Sequence, residues 1–336
     1  MVLFVRRIRD KYLGGIPFLV TPEVQMFGAV IMQLAHALVA AQFAQASPAP
    51  EVLARINSGF SPSVAADVKP AGLSLYGCSL QDLVLTGKDP VTGNLGATSA
   101  RIYHPAFASD SSDTRSVVLL PPTGGENTLD RGYANALCFA GFKVVLLQRW
   151  DHDTDVELDL GMHDKGALRS LTAVRRVVDF LSPDHDRQVG IMGTSVGALS
   201  SALALGFDTR LSSAVLIVGG LGMAEIIATT TEKGAAAVRA ERMQRLGFKN
   251  AADYLSALRQ KVTIEPGDFV DFSGPKKVLA FVGTQDVTVP TKNQLELVRA
   301  YHAQSDEYAG DHTATILHTF ATKQSEIVDF FSASLK

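Results

Sequence analysis

The segment at residues 188–205, QVGIMGTSVGALSSALAL, constrains the fold of this chain more than any other. Its first part, from Val189 to Met192, is apolar and has the length of a buried strand. The residues at 193–197 are Gly-Thr-Ser-Val-Gly, and a run of small and apolar residues with helical propensity follows directly. A strand that passes into a helix through so short a connection needs a sharp turn, and Ser195 stands at its apex.

A serine at such an apex projects above the strand, with the N-terminus of the helix beneath it. The flanking Gly193 and Gly197 suit a turn in which strand and helix backbones pack closely. The segment resembles the G-x-S-x-G nucleophile elbow of the α/β-hydrolases, and the resemblance implies that Ser195 is a nucleophile. The bare pattern also fits an ordinary tight turn between a buried strand and a helix, so the rest of the chain must supply the partners.

The remaining segments support the same fold class. Continuous apolar runs alternate with helical patterns, which is typical of a parallel sheet covered on both faces. These predicted strands lie at residues 116–120, 143–147, 189–192, 213–218, 277–282 and 313–317. Two segments of alternating polarity, 81–86 and 97–103, precede them and predict an antiparallel hairpin at the sheet edge.

The same patterns predict the domain organisation. Residues 222–271 contain helical patterns without a strand pattern, which predicts a helical cap inserted into the sheet. The polar stretch at 47–72 predicts an irregular segment. The resemblance implies an α/β-hydrolase domain over 73–336, with a mostly parallel, doubly wound sheet, an antiparallel N-terminal hairpin and a short helical cap.

In α/β-hydrolases a serine, an acid and a histidine follow in that order, each on a loop at the carboxyl end of a strand. After the predicted strand at 277–282 the chain contains GTQDVTVP, which is similar to the G-x-x-D-x-x-V-P loop of the family. The resemblance therefore implies that Asp286 is the acid. The alternative interpretation is an Asx turn that leads into the next helix, a common position for aspartate.

Two histidines compete for the third position, because His312 and His318 stand on either side of the predicted strand at 313–317. A strand of this length separates its ends by roughly 15–20 Å. The carboxyl end is the one that faces Ser195, which predicts that His318 is the general base. If the strand boundaries are wrong, the assignment passes to His312.

Stabilisation of an oxyanion needs preorganised N–H donors near the nucleophile. The resemblance implies that the backbone N–H of Val196 is one donor and that the loop after the strand at 116–120 supplies the second. That loop contains Thr123, Gly124 and Gly125 but lacks the histidine that many relatives carry there. Which of the three donates stays open.

The resemblance implies that Ser195, Asp286 and His318 cleave a carboxylic ester through an acyl-enzyme, without a cofactor. A peptidase, amidase or thioesterase is the alternative on the same fold, and a non-catalytic binding protein is the alternative of another class. A net charge of −3 without a basic cluster argues against nucleic acid. The resemblance implies a small-molecule ester as the partner. The acidic loop at 150–159 matches no metal-ligand spacing, which predicts a solvated loop.

Residues 1–46 have the parts of a secretory signal peptide, namely basic residues, an apolar stretch and an A-x-A sequence that ends at Ala46. Export to the periplasm or the exterior is expected, without stable membrane insertion after leader removal. A membrane anchor is the alternative, and a cytoplasmic location follows if the leader is not functional. Cys78 and Cys138 would pair in an oxidising compartment, but Cys138 falls on a predicted core-facing helix, which favours a buried free thiol.

Overall fold

A single sheet carries the fold in the computed structural model, which describes residues 47–74, 76–105, 115–149, 159–184 and 187–335. The predicted leader at 1–46 lies outside these residues. Within them the strands are, in chain order, β1 (Ala65–Leu73), β2 (Ser79–Lys88), β3 (Leu95–His104), β4 (Ser116–Leu120), β5 (Lys143–Arg149), β6 (Val189–Thr194), β7 (Leu211–Ile217), β8 (Lys277–Gly283) and β9 (Gln304–Tyr308).

The strands lie in the order β1-β2-β3-β5-β4-β6-β7-β8-β9. The pairs β1–β2, β2–β3 and β3–β5 are antiparallel, and every neighbouring pair from β5–β4 to β8–β9 is parallel. The predicted hairpin and the mostly parallel sheet are therefore confirmed. Because the carboxyl ends of parallel strands meet at one edge, the loops after β4, β6, β8 and β9 lie along the same edge of the sheet.

Helices cover both faces of the sheet, as predicted. In the described part of the chain they are α1 (Pro50–Gly59), α2 (Thr128–Phe139), α3 (Met162–Leu181), α4 (Val196–Phe207), α5 (Met223–Thr229), α6 (Lys233–Leu246), α7 (Ala251–Lys261), α8 (Thr291–Ala300), α9 (His312–Thr322) and α10 (Gln324–Ser334). Alternate residues of β4 belong to different apolar cores: Val118 packs with α3 and α4, and Val117 packs with α2 and α10. Among the described helices, none combines the length and the apolar character that a bilayer crossing needs.

The segment at 47–72 is not irregular, so that expectation is wrong. It forms α1 and most of β1, and β1 extends the sheet by pairing with β2. All nine residues of β1 are exposed. The strand therefore lacks the alternation of apolar and polar residues on which strand prediction depends, and the sheet begins at Ala65 rather than after residue 72.

The predicted last strand at 313–317 is also wrong, because these residues belong to α9. The last strand is β9, with the polar sequence QSDEY, and it pairs with β8 at the edge of the sheet. Asp311 caps α9, since its side chain accepts the N–H of Ala314 at 2.8 Å. The β-branched run TATIL favours a strand locally, but the capped helix prevails.

The cap at 222–271 is confirmed as a helical insertion between β7 and β8. It contains α5, α6, α7 and a short 3-10 helix at Pro266–Phe269. The Glu265 carboxylate joins the two ends of the insertion, because its oxygens accept the N–H groups of Gly222 at 2.9 Å and Met223 at 2.7 Å. These two hydrogen bonds thereby hold the beginning and the end of the cap together.

Cys78 and Cys138 form a disulfide, so the expectation of a free thiol is wrong. Cys138 lies on the buried side of α2, as predicted, but Cys78 is buried in the same apolar core. The two residues are 60 positions apart in the sequence. The antiparallel hairpin and α2 bring the two cysteines together, and no local sequence pattern predicts that they are close.

Candidate active site

Ser195 occupies the turn between β6 and α4, as predicted. Its φ of 56° lies in the left-handed region, which residues other than glycine adopt rarely and at a cost in strain. A Cβ on Gly193 would lie 2.2 Å from the carbonyl oxygen of Gly197, so only glycine fits where strand and helix meet. The structure therefore has the elbow geometry that the sequence predicted.

His312 is hydrogen-bonded to both Ser195 and Asp286. Its Nε2 lies 2.9 Å from Ser195 Oγ, and its Nδ1 lies 2.7 Å from Asp286 Oδ2. Because an ionised carboxylate only accepts hydrogen bonds, Nδ1–H donates to Asp286 and Nε2 accepts from the serine hydroxyl. Serine, histidine and aspartate therefore form a continuous chain along which Oγ can lose its proton to the imidazole.

His318 lies outside this chain, which corrects the predicted assignment. It follows His312 by six residues on α9, so it lies about 9 Å further along the helix axis and on a different face. Its ring stacks on Tyr308 with centroids 4.0 Å apart, and its Nε2 lies 3.3 Å from the Thr322 hydroxyl. The histidine beside Ser195 is the alternative that the sequence left open.

Asp286 lies on the loop after β8, where the sequence placed it, and its side chain is fully buried. Its Oδ1 accepts the N–H groups of Thr288 at 2.8 Å and Val289 at 3.1 Å. These bonds form the turn that was the alternative interpretation of this aspartate. The turn and the contact with His312 coexist, because they use different oxygens of the carboxylate.

The sequence patterns did not single out Gln294, on α8. Its side-chain amide is buried and donates to Asp286 Oδ2 at 2.7 Å. The adjacent Asn293 is buried as well. A pair of amides on the buried side of an otherwise amphipathic helix is the one pattern that points to this position, since buried polar side chains need specific partners.

The loop after β4 contacts the first turn of α4. A Cβ on Gly197 would lie 2.4 Å from the carbonyl oxygen of Leu120, so the two backbones touch. Val196 is the first residue of α4, where N–H groups have no intrahelical partner. The predicted donor Val196 directly precedes Gly197, the residue that contacts the end of β4 and the start of the loop expected to supply the second donor.

Within that loop Gly124 and Gly125 have φ values of 93° and 91°, a conformation that glycine adopts without strain. The N–H of Gly125 donates to the carbonyl oxygen of Pro122 at 3.2 Å. Thr123, Gly124 and Gly125 all stay predictions for the role of second oxyanion donor.

The fold resembles those of solved esterases. The acetyl xylan esterase from Paenibacillus sp. R4 has a TM-score of 0.61 at 14% identity, over 85% of this chain and 92% of that one. Acetyl xylan esterase 1 from Thermoanaerobacterium sp. JW/SL YS485 has a TM-score of 0.57 at 15% identity, over 85% and 95%. The chain has the α/β-hydrolase fold.

A third structure with this hydrolase fold is Est1E from Butyrivibrio proteoclasticus, with a TM-score of 0.51 at 17% identity, over 79% of this chain and 98% of that one. No protein-family model and no curated protein matches the sequence. At identities this low the structural similarity establishes the fold alone. One hydrolase fold serves many substrates. The chemistry of this chain therefore has to be argued from its own residues.

A buried carboxyl group lies at the start of α2, directly after the loop that contains Thr123, Gly124 and Gly125. Asp130 is 1% exposed, and its Oδ2 accepts the N–H of Asn127, whose side chain caps the helix in return. Burial raises the pKa of Asp130 to about 7, and the nearby charge of Glu126 acts in the same direction. The charge of the Asp130 carboxyl group at the start of α2 therefore changes near neutral pH.

No metal centre is evident in the part of the chain that the structure describes, since no three His, Cys, Asp or Glu side chains there are grouped to hold an ion. The acidic loop predicted to be solvated lies outside the described residues at 150–158. Its last residue, Asp159, accepts the N–H of Gly161 at 2.8 Å and pairs with Lys165 at 3.1 Å.

Proposed function

We propose that this chain is a serine hydrolase that cleaves a carboxylic ester, with Ser195 as nucleophile, His312 as general base and Asp286 as the acid that orients the base. The supporting observation is the hydrogen-bonded chain from Ser195 Oγ through both imidazole nitrogens to Asp286 Oδ2. Nucleophilic catalysis by serine requires a base within hydrogen-bond reach and a third group that fixes the base. The hydrogen bonds of His312 to Ser195 and to Asp286 support both requirements.

In the proposed reaction Ser195 Oγ attacks the ester carbonyl carbon while its proton passes to Nε2 of His312. Asp286 stabilises the imidazolium that forms, and the N–H of Val196 donates to the oxyanion of the tetrahedral intermediate. The imidazolium then gives its proton to the leaving alcohol, which leaves an acyl-serine. A water molecule, deprotonated by His312, hydrolyses the acyl-serine and restores the enzyme without a cofactor.

Acetyl and other short-chain esters are the substrates we propose first, because two of the similar solved structures are acetyl xylan esterases. Amides and thioesters need the same three groups, so peptidase, amidase and thioesterase activities differ from this proposal in substrate rather than in mechanism. The non-catalytic alternative differs in kind, since it predicts that Ser195 does not react.

A fluorophosphonate probe tests whether Ser195 is a reactive nucleophile. The wild type should be labelled and Ser195→Ala should not be, whereas absence of labelling in both proteins would refute the proposal. Nitrophenyl esters of graded acyl length, with matched amides and thioesters, then define the substrate class. Acetate and butyrate esters should be the best substrates.

Alanine variants of His312 and His318, which lie on the same helix, test which of the two histidines is the general base. His312→Ala should lower kcat on nitrophenyl acetate by about 10⁴-fold or more, the range seen when a triad member is removed. His318→Ala is the matched control, and it should stay within about twofold of the wild type because His318 contacts Tyr308 and Thr322 rather than Ser195. A large loss in His318→Ala with activity kept in His312→Ala would reverse the assignment.

We also propose that the protein is exported and acts on a small-molecule ester outside the cytoplasm. The basic and apolar leader at 1–46 supports this location, and so does the Cys78–Cys138 disulfide, because disulfides persist in oxidising compartments. Mass spectrometry of the protein from fractionated cells should find a mature chain that begins at Ser47 outside the cytoplasm. A full-length, reduced chain in the cytoplasm would contradict the proposal.

A further inference from the structure

We infer that Gln294 is a positioning residue that fixes and tunes Asp286, an inference that rests on the proposed serine hydrolase function. Gln294 lies on α8 and is 1% exposed. It contacts the acid rather than the reacting atoms, so it acts on the reaction through Asp286 and His312.

Every polar atom of the Gln294 side chain has a partner. Its Oε1 accepts the N–H of Gly283 at 3.1 Å, and its Nε2 donates to the carbonyl oxygen of Val289 and to Asp286 Oδ2, both at 2.7 Å. A rotated amide would direct its oxygen at two acceptors and its NH₂ group at a donor. The three partners therefore define one orientation of the amide.

These bonds connect three parts of the acid loop. Gly283 ends β8, Asp286 carries the carboxylate, and Val289 lies near the start of α8. The carboxylate is held from both sides, by backbone N–H groups on Oδ1 and by Gln294 and His312 on Oδ2. If Gln294 is removed, His312 is the one side chain among the described residues that still bonds to Oδ2. The carboxylate can then rotate, and the imidazole loses its fixed orientation.

The shared oxygen has an electrostatic consequence as well. Gln294 and His312 donate to the same Oδ2, so the amide disperses part of the negative charge that stabilises a protonated imidazole. When the amide donor is absent, protonated His312 is more strongly favoured. Activity should then decline at a higher pH on the acid side of the profile, because the base must be neutral to accept the proton of Ser195.

Gln294→Met removes the donor and keeps the length of the side chain. On nitrophenyl acetate we expect kcat to fall by about 10- to 100-fold, the range seen when a residue that orients a metal ligand is replaced, with KM within about twofold. The pH at which kcat/KM is half its maximum on the acid side should rise. A lower Tm with unchanged kcat and an unchanged pH profile would mean that Gln294 is merely structural and would overturn the inference.

Gln294→Glu decides the case if the methionine variant does not fold. Its side chain has nearly the same shape, donates to Asp286 only when protonated and repels it when ionised. The activity of this variant relative to the wild type should fall as the pH rises, and a constant ratio would overturn the inference. Gln324→Met is the matched control, because Gln324 also donates from a helix to a backbone oxygen, that of Phe320, and should keep the wild-type profile.

The hydrogen bond between His312 Nδ1–H and Asp286 can also be observed directly, as a low-field proton resonance in histidine-labelled protein. If this resonance shifts in Gln294→Met while the wild type hydrolyses no ester, the positioning role stands and the proposed function fails. If the wild type is active and Ser195→Ala is not, but Gln294→Met matches the wild type in kinetics and in this resonance, the function stands and the positioning role is refuted.

Discussion

Reduction of the Cys78–Cys138 disulfide should lower the free energy of unfolding by about 4 kcal/mol. The bond links residues 60 positions apart. In the chain-entropy model a crosslink over such a loop removes about 14 cal/mol/K from the entropy of the unfolded chain, which is about 4 kcal/mol at 25 °C. Both cysteines are buried in one apolar core, so we expect reduction to change the packing of the folded state little.

The same value predicts the change in melting temperature. The compact unit Gln45–Lys336 has about 290 residues, and an unfolding entropy of about 2.1 cal/mol/K per residue gives about 0.6 kcal/mol/K for the unit. A loss of about 4 kcal/mol then lowers Tm by about 7 °C. The shift is moderate because a chain of this size unfolds with a large total entropy.

The assay compares the oxidised protein with the same protein after unfolding, reduction and refolding in reductant, by calorimetry or circular dichroism. The double variant Cys78→Ala, Cys138→Ala is the control, and its Tm should not respond to reductant. Equal Tm values for the oxidised and the reduced protein would refute the entropic reasoning. An intact mass with two additional hydrogen atoms in protein from an oxidising compartment would refute the pairing itself.

Two further substitutions test the surroundings of the site. Gly197→Ala places a Cβ 2.4 Å from the Leu120 carbonyl oxygen and should lower the free energy of unfolding, measured with denaturant, by about 1–3 kcal/mol. Gly166→Ala is the control, because a Cβ there meets no atom within 4 Å, and it should stabilise α3 by about 0.5–1 kcal/mol. Equal effects of the two substitutions would contradict the packing account. Burial raises the pKa of Asp130 from its ordinary 3.8 to about 7, so the folded state favours the protonated form and loses up to about 4 kcal/mol as the pH rises through that range. Asp130→Asn removes this loss, so its free energy of unfolding should gain on the wild type at about pH 8.5 relative to about pH 5, and an equal difference at both would contradict the shift.

The central sheet, the elbow and the position of Asp286 could be predicted because each is encoded within a few neighbouring residues. Buried parallel strands such as β4 and β6 need apolar side chains on both faces, and the sequence shows this need as continuous apolar runs. The elbow requires glycine at positions 193 and 197, and the acid loop follows β8 directly. In each case the local pattern and the tertiary structure agree.

The edge strands could not be predicted in the same way. β1 exposes all its residues and contains Lys69 and Pro70, and β9 contains Asp306, which pairs with Lys323. Charged residues and proline at sheet edges hinder pairing with other chains, so they are common in edge strands and hide the strand pattern. The disulfide was missed for a related reason, because tertiary structure alone brings Cys78 close to α2.

The sequence favoured His318 over His312 because backbone contacts, rather than a sequence motif, bring His312 to the loop after β8. The N–H of Thr284 donates to the carbonyl oxygen of Tyr308 at 2.9 Å, and the N–H of Gln285 donates to that of Gly310 at 3.1 Å. These bonds join the loop after β8 to the loop after β9, so His312 begins α9 beside the acid loop. His312 does follow the carboxyl end of the last strand, since β9 ends four residues before this histidine. Applied to the polar strand QSDEY instead of the apolar run TATIL, the rule that the base follows the last strand selects His312.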